Sequence, residues 1–157
     1  MVERITESEY RALGELRYLI RRFVQEGDVT AKQAGLEPQQ YLLLLAIRGL
    51  PMGEAATIST LAERLALRHH STVELIDRLE SHGYVKRARG KEDRRQVLVE
   101  LQPRGAKLLE RVVGQRIIEL RANGRALVAA ISSLLEPRKR ALSSNGERRR
   151  RTTARTR

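Results

Sequence analysis

Apolar residues recur at helical spacing from near the start of the chain. Thr6-Glu7-Ser8-Glu9 reads as a helix start, because a Thr hydroxyl can accept from backbone N–H groups while a Glu three residues on reaches back. Leu13, Leu16, Leu19, Ile20, Phe23 and Val24 follow at steps of three and four, one stripe on a helix. Gly27-Asp28 is expected to end it. A second helix opens at Pro38, since the N–H that proline lacks has no partner in a first turn. Its run 41–47 is apolar nearly all round, which predicts burial nearly all round. Gly49-Leu50-Pro51 stops it.

Ala56-Thr57-Ile58 is a short β-capable run, and Ser59 or Thr60 is expected to cap a short helix carrying Leu61, Ala62 and Leu65. After a tight connection at Ala66-Leu67, the next helix runs from about Arg68 to Ser81. Thr72, Leu75, Ile76 and Leu79 face inward, and His82-Gly83 closes it with a left-handed cap. The period then changes to two. Segments 84–89 and 96–101 read as strands, with Val97, Val99 and Leu101 alternating around a polar, basic turn at 90–95. Pro103 precedes a long helix whose apolar face carries Leu108, Leu109, Val112, Val113, Ile117, Ile118 and Leu120. Asn123-Gly124 is expected to interrupt it before a last helix with Leu127, Val128, Ile131, Leu134 and Leu135. Residues 143–157 have no hydrophobic pattern and are expected to be a disordered basic tail in isolation.

The order of elements predicts a mainly α chain with a small β-wing: a winged helix-turn-helix flanked by N- and C-terminal helices. Residues 1–142 form a single domain in this reading. Its DNA-binding part covers about 55–102, and its dimerisation helices about 6–26 and 104–140. In helix-turn-helix binders the second helix enters the major groove and its N-terminal residues touch base edges. With Thr72, Leu75, Ile76 and Leu79 inward, about 100° per residue puts His70, Glu74 and Asp77 on the opposite face, flanked by Ser71 and Val73. Arg68 and His69 lie at the lip. His and Ser can donate to purine acceptors, and Glu74 can accept from the cytosine amino group. Arg78, further along, suits a phosphate.

Charge sharpens this picture after correction for its uneven spread. The 157 residues carry 31 Lys+Arg against 19 Asp+Glu, a net +12. Residues 137–157 hold nine basic residues and one acid, a net +8, leaving 22 basic and 18 acidic residues, +4, in the body. The hairpin region 84–95 carries Lys86, Arg87, Arg89, Lys91, Arg94 and Arg95 against Glu92 and Asp93, which is also +4. An Arg at a hairpin tip can enter a narrow A·T-rich minor groove, where the negative potential is enhanced. Arg94 suits a phosphate, the commoner kind of contact.

The helix-turn-helix segment 58–87 resembles that of the MarR family of bacterial transcriptional regulators. Asp93-Arg94-Arg95 with the following Gln-Val-Leu-Val-Glu-Leu-Gln-Pro-Arg-Gly resembles the family's wing and next helix. The most specific parts are Asp77-Arg-Leu-Glu, then Gly83-Tyr-Val, and the D-x-R of Asp93 and Arg95. The resemblance covers roughly 5–140 and leaves the Arg-rich tail outside. It implies a homodimer with interlocked terminal helices on a pseudo-palindromic operator. It also implies a regulator, usually a repressor, often released by a small aromatic or phenolic ligand whose binding residues the sequence does not identify. In the family pattern the Arg at position 95 enters the minor groove and the Asp at position 93 holds its guanidinium.

Other readings stand beside these. A non-specific or architectural DNA-binding protein would use the basic wing and tail for electrostatics alone, though Glu74 and Asp77 suit base reading better than phosphate coating. His69, His70 and His82 could be DNA contacts, solvated surface residues or, with less support from their spacing, metal ligands. Asp93 and Arg95 could be a surface ion pair only. Leu42–Leu45 could be core or a pocket wall, and the Arg148–Arg151 run a DNA-tracking arm or a loosely constrained terminus. No Gly-rich phosphate loop, metal-ligand spacing or nucleophile–base pair points to an enzyme or a cofactor. With no cysteine, thiol redox sensing is excluded. No apolar stretch approaches the roughly 18 residues of a membrane span, and a cytoplasmic location is the expectation.

Overall fold

The computed structural model describes residues 4–90 and 93–136. Five helices and one hairpin follow the expected order: α1 (Glu7–Gln33), α2 (Pro38–Arg48), α3 (Ile58–Leu65), α4 (His69–Ser81), β1 (Val85–Arg89), β2 (Val97–Leu101) and α5 (Pro103–Leu135). Among the described residues no helix is long and apolar enough to cross a membrane. The basic tail lies outside the described residues.

Local chemistry sets the element ends. Thr6 caps α1: the Glu9 amide donates to its Oγ1 at 3.3 Å, and the Glu9 carboxylate accepts from the Thr6 amide at 2.7 Å. α2 begins at Pro38, with the Glu37 amide donating to the Gln40 side chain at 2.9 Å. The cap of α3 is Thr57 rather than Ser59 or Thr60. Its Oγ1 accepts from the Thr60 amide at 3.1 Å, which brings Ser59 and Thr60 into the first turn. Gly83, at φ +70°, supplies the left-handed residue after α4.

The core joins α2, α3, α4, the hairpin and the first half of α5. Leu36, Leu43, Leu44, Leu61, Leu75, Ile76, Leu79, Val85, Val99 and Val112 are fully or almost fully buried. β1 and β2 pair antiparallel with Val85 opposite Leu101 and Arg89 opposite Val97. The β-capable run near Thr57 adds an isolated bridge to Leu98, and Ala56 O accepts from the Val99 amide at 2.9 Å. The hairpin is thereby tied to the start of α3. α2 is less buried than its composition predicts. Tyr41, Leu43 and Leu44 are inside, while Leu42 is 44% exposed and lines a shallow groove with Leu45, Ala46 and Leu65. α1, α3, α4, α5 and β2 all pack on α2, and Leu42 lies on the strip they leave uncovered.

Both long helices are continuous where breaks were expected. α1 runs through Gly27-Asp28 to Gln33, and α5 runs through Asn123-Gly124 to Leu135. Gly27 is buried in mid-helix against the side chain of Arg116, where a Cβ would lie 3.5 Å from Nε. It sits within a helix–helix contact and does not turn the chain. α1 and α5 pack on each other and extend away from the core. Tyr10, Leu13, Tyr18 and Val24 on α1, with Ile118, Val128 and Leu135 on α5, are more than half exposed.

Candidate nucleic-acid interface

The turn between α3 and α4 is made by Ala66, at φ 51°, ψ 39°. The Ala66 amide donates to Glu63 O at 3.0 Å and the Leu67 amide to Ala62 O at 2.9 Å, closing α3 within two residues. This left-handed alanine is intrinsically costly by roughly 1–2 kcal/mol, and it directs α4 across α3. Thr72, Leu75, Ile76 and Leu79 are all buried, as their spacing predicts. The rotation of α4 is thus fixed, and His70, Glu74 and Asp77 are exposed on its outer face.

The N-terminal turn of α4 is open. Its N-cap, Arg68, makes no side-chain capping hydrogen bond, and the first turn has no acidic residue. Main-chain donors and the positive end of the helix dipole are therefore presented beside the exposed Arg68, His69 and His70 and the half-buried Ser71. Arg78 is exposed about two turns further along, facing Gln39 and Gln40 at the start of α2. His82 lies off this face: its Nδ1 is 2.6 Å from Arg78 O and its ring stacks on Tyr84 at 5.5 Å. Among the described residues no three His, Cys, Asp or Glu side chains form a group suited to a metal ion.

The wing tip is held by main-chain and local contacts. Gly90 N–H donates to Gln96 O at 3.0 Å, and Gln96 N–H to Asp93 O at 3.1 Å. The Asp93 carboxylate accepts from the Arg95 amide at 2.9 Å, so it braces the turn through the backbone rather than through the guanidinium. Arg89 Nη1 donates to Arg94 O at 3.1 Å across the hairpin. Arg94 and Arg95 are exposed, and neither guanidinium is ion-paired among the described residues. Lys86 is more occupied than its sequence position suggests, because it pairs at 3.2 Å with Glu100, its cross-strand partner.

Two arginines carry structure that sequence reasoning missed. Arg87, on β1, reaches α4 and binds Asp77 (Nη2–Oδ1 2.6 Å) and Glu80, whose other oxygen accepts from the Arg87 amide at 2.8 Å. Asp77, on the same outer face as His70, is thereby ion-paired. Arg116, on α5, is only 6% exposed. Its guanidinium donates to Phe23 O at 2.6 Å and to Glu119, lies 3.9 Å from Glu26, and stacks over the Phe23 ring at 4.4 Å. Beside it, between α1 and α5, is a cleft of about 180 Å³ lined by Leu19, Phe23, Glu26, Glu119, Leu120 and Leu127.

The profile of the MarR family matches residues 34–96, which spans α2 through β1 and the hairpin turn and ends just before β2. The HTH-type transcriptional regulator YfiV of Bacillus subtilis (strain 168), itself uncharacterized, is 33% identical over 108 residues, covering 68% of this chain and 65% of that protein. YsmB of the same organism, also an uncharacterized HTH-type transcriptional regulator, is 30% identical over 101 residues, covering 64% of this chain and 67% of YsmB. The solved structure of a MarR family protein from Bacillus stearothermophilus superposes with a TM-score of 0.66 at 22% identity, over 82% of this chain and 93% of that one.

Proposed function

The chain belongs to the MarR family, and from that membership we propose that it is a sequence-specific DNA-binding regulator that works as a homodimer on a pseudo-palindromic operator. The observation that carries the reading is the combination of an open, mixed-chemistry α4 face with an exposed arginine at the wing tip. Generic phosphate binding needs only a strip of cations. Here His69, His70 and Ser71 offer donors for purine acceptors, and Glu74 offers an acceptor for a cytosine amino group. Arg68, Arg78, Lys86 and Arg94 take phosphates, which fixes register. Arg95 enters the minor groove, with Asp93 shaping the turn beneath it.

In this reading residues 55–102 form the DNA-binding part, while α1 and the distal half of α5 bury their exposed apolar residues against a second copy. Binding within or beside a promoter makes the protein a repressor. The cleft between α1 and α5 is wide enough for a small aromatic or phenolic effector, whose insertion would change the spacing of the two α4 helices.

Hydroxyl-radical footprinting on a bound operator tests the arrangement. Two equivalent sets of backbone protections should lie about 34–36 Å apart, or at a multiple of that, each with protected minor-groove sugars where a wing enters. Uniform protection with no two-fold pattern would instead indicate a coating protein.

A further inference from the structure

We infer that Arg87 is a positioning residue: it clamps the wing to the recognition helix and so sets the distance between the two elements that read DNA. This rests on the DNA-binding reading above. Val85 and Arg87 share one face of β1, because side chains two apart in a strand point the same way. Val85 is buried in the core, so Arg87 is directed back at α4. There Asp77 and Glu80, three residues apart, are neighbours on the helix surface. The guanidinium spans both, with one nitrogen on each carboxylate. Glu80 engages twice, taking the guanidinium with one oxygen and the Arg87 main-chain amide with the other. Side chain and backbone of one strand residue are therefore both fixed to α4. The other contacts near the tip, Arg89 to Arg94 O and Asp93 to the Arg95 amide, stay within the hairpin and cannot orient it against the helix.

The clamp also acts on charge. Asp77 follows His70 by seven residues, about two helical turns, so its carboxylate lies on the face offered to DNA. Uncompensated, it would repel phosphates. Arg87 holds it at 2.6 Å. Burial works against the Arg87 charge, but the hydrogen bonds and charges of Asp77 and Glu80 outweigh it and raise the guanidinium above its ordinary value. A lysine, with a single point charge, cannot span two carboxylates in the same way.

Two readouts test this, one of them free of DNA. In hydrogen–deuterium exchange on the unliganded protein, Arg87→Met should raise the exchange of hairpin amides about tenfold and leave α2 and α3 at the native rate. Arg87→Lys should recover only part of the protection. In operator binding, Arg87→Met should weaken affinity about tenfold in the native background but no more than about twofold when Arg95 is already alanine, since the clamp acts by placing Arg95. Unchanged hairpin exchange, a uniform rise across the protein, or equal losses in both backgrounds would overturn the clamp. If exchange behaves as expected but no DNA sequence is preferred, the clamp stands and the sequence-specific reading falls.

Discussion

Replacing Gly105 by alanine should destabilise the fold by about 3 kcal/mol, although alanine is the better helix former. Gly105 is buried in the first turn of α5, where the helix start crosses the segment leading into the wing. A Cβ there would run into the carbonyl oxygen of Tyr84 and lie 3.0 Å from that residue's C and Cα atoms. These are backbone atoms and cannot rotate aside. The Tyr84 carbonyl also accepts from the Gln102 amide at 2.9 Å, and the Tyr84 amide donates to Leu79 O at 2.9 Å. Relief of the clash must therefore move α4, β1 or α5. The helix-propensity gain of roughly 0.5–1 kcal/mol is too small to offset it. Calorimetry should show a fall in melting temperature of about 6–12 °C, given roughly 2–4 °C per kcal/mol at this chain length. Gly114→Ala, where nothing lies within 4 Å of the added carbon, should leave the midpoint unchanged or raise it. Equal midpoints for the Gly105 variant and the parent would show that the joint between wing and α5 is looser than described.

Arg95→Ala should weaken operator binding by about 10- to 100-fold, the 1–3 kcal/mol expected for one specific arginine contact. The loss should depend on sequence. It should be large where the minor groove beside the half-site is A·T-rich and narrow, and small where it is G·C-rich. Arg94→Ala should weaken both sites by a similar, smaller factor and flatten the salt dependence, as loss of a phosphate contact does. Fluorescence anisotropy on the two DNAs at fixed ionic strength separates these outcomes. The same loss for Arg95→Ala on both DNAs would make Arg95 another phosphate ligand.

Much of the scaffold was legible because its causes are local. The capping box at Thr6 and Glu9, the inward face of α4, the left-handed Gly83 and the strand Val97–Leu101 each follow from neighbours in sequence, although of its alternating residues Val99 is buried and Val97 exposed. Several misread points turn on contacts between distant segments. Gly27 looks like a helix stop until Arg116, 89 positions later, is seen packed against it. Arg116 itself carried a usable signal, since it stands in register with Leu109, Val112 and Leu120 on the apolar face of α5. The site divides in the same way. Position on α4 and at the hairpin tip placed Arg68, His69, His70, Glu74, Arg94 and Arg95 on the surface. Nothing local showed that Asp77 is paired from β1 or that Lys86 is paired with Glu100, whereas the bond from the Arg95 amide to Asp93 joins residues two apart and is a turn contact that an Asp at this position signals.

Selection of bound DNA from a random-sequence pool, with the purified full-length protein at physiological salt, tests the central claim most directly. Sequence-specific binding by a two-fold assembly predicts convergence on an inverted repeat, with A·T-rich positions where the wings reach. A pool that is retained yet stays random in sequence, and is released as salt rises, would contradict it.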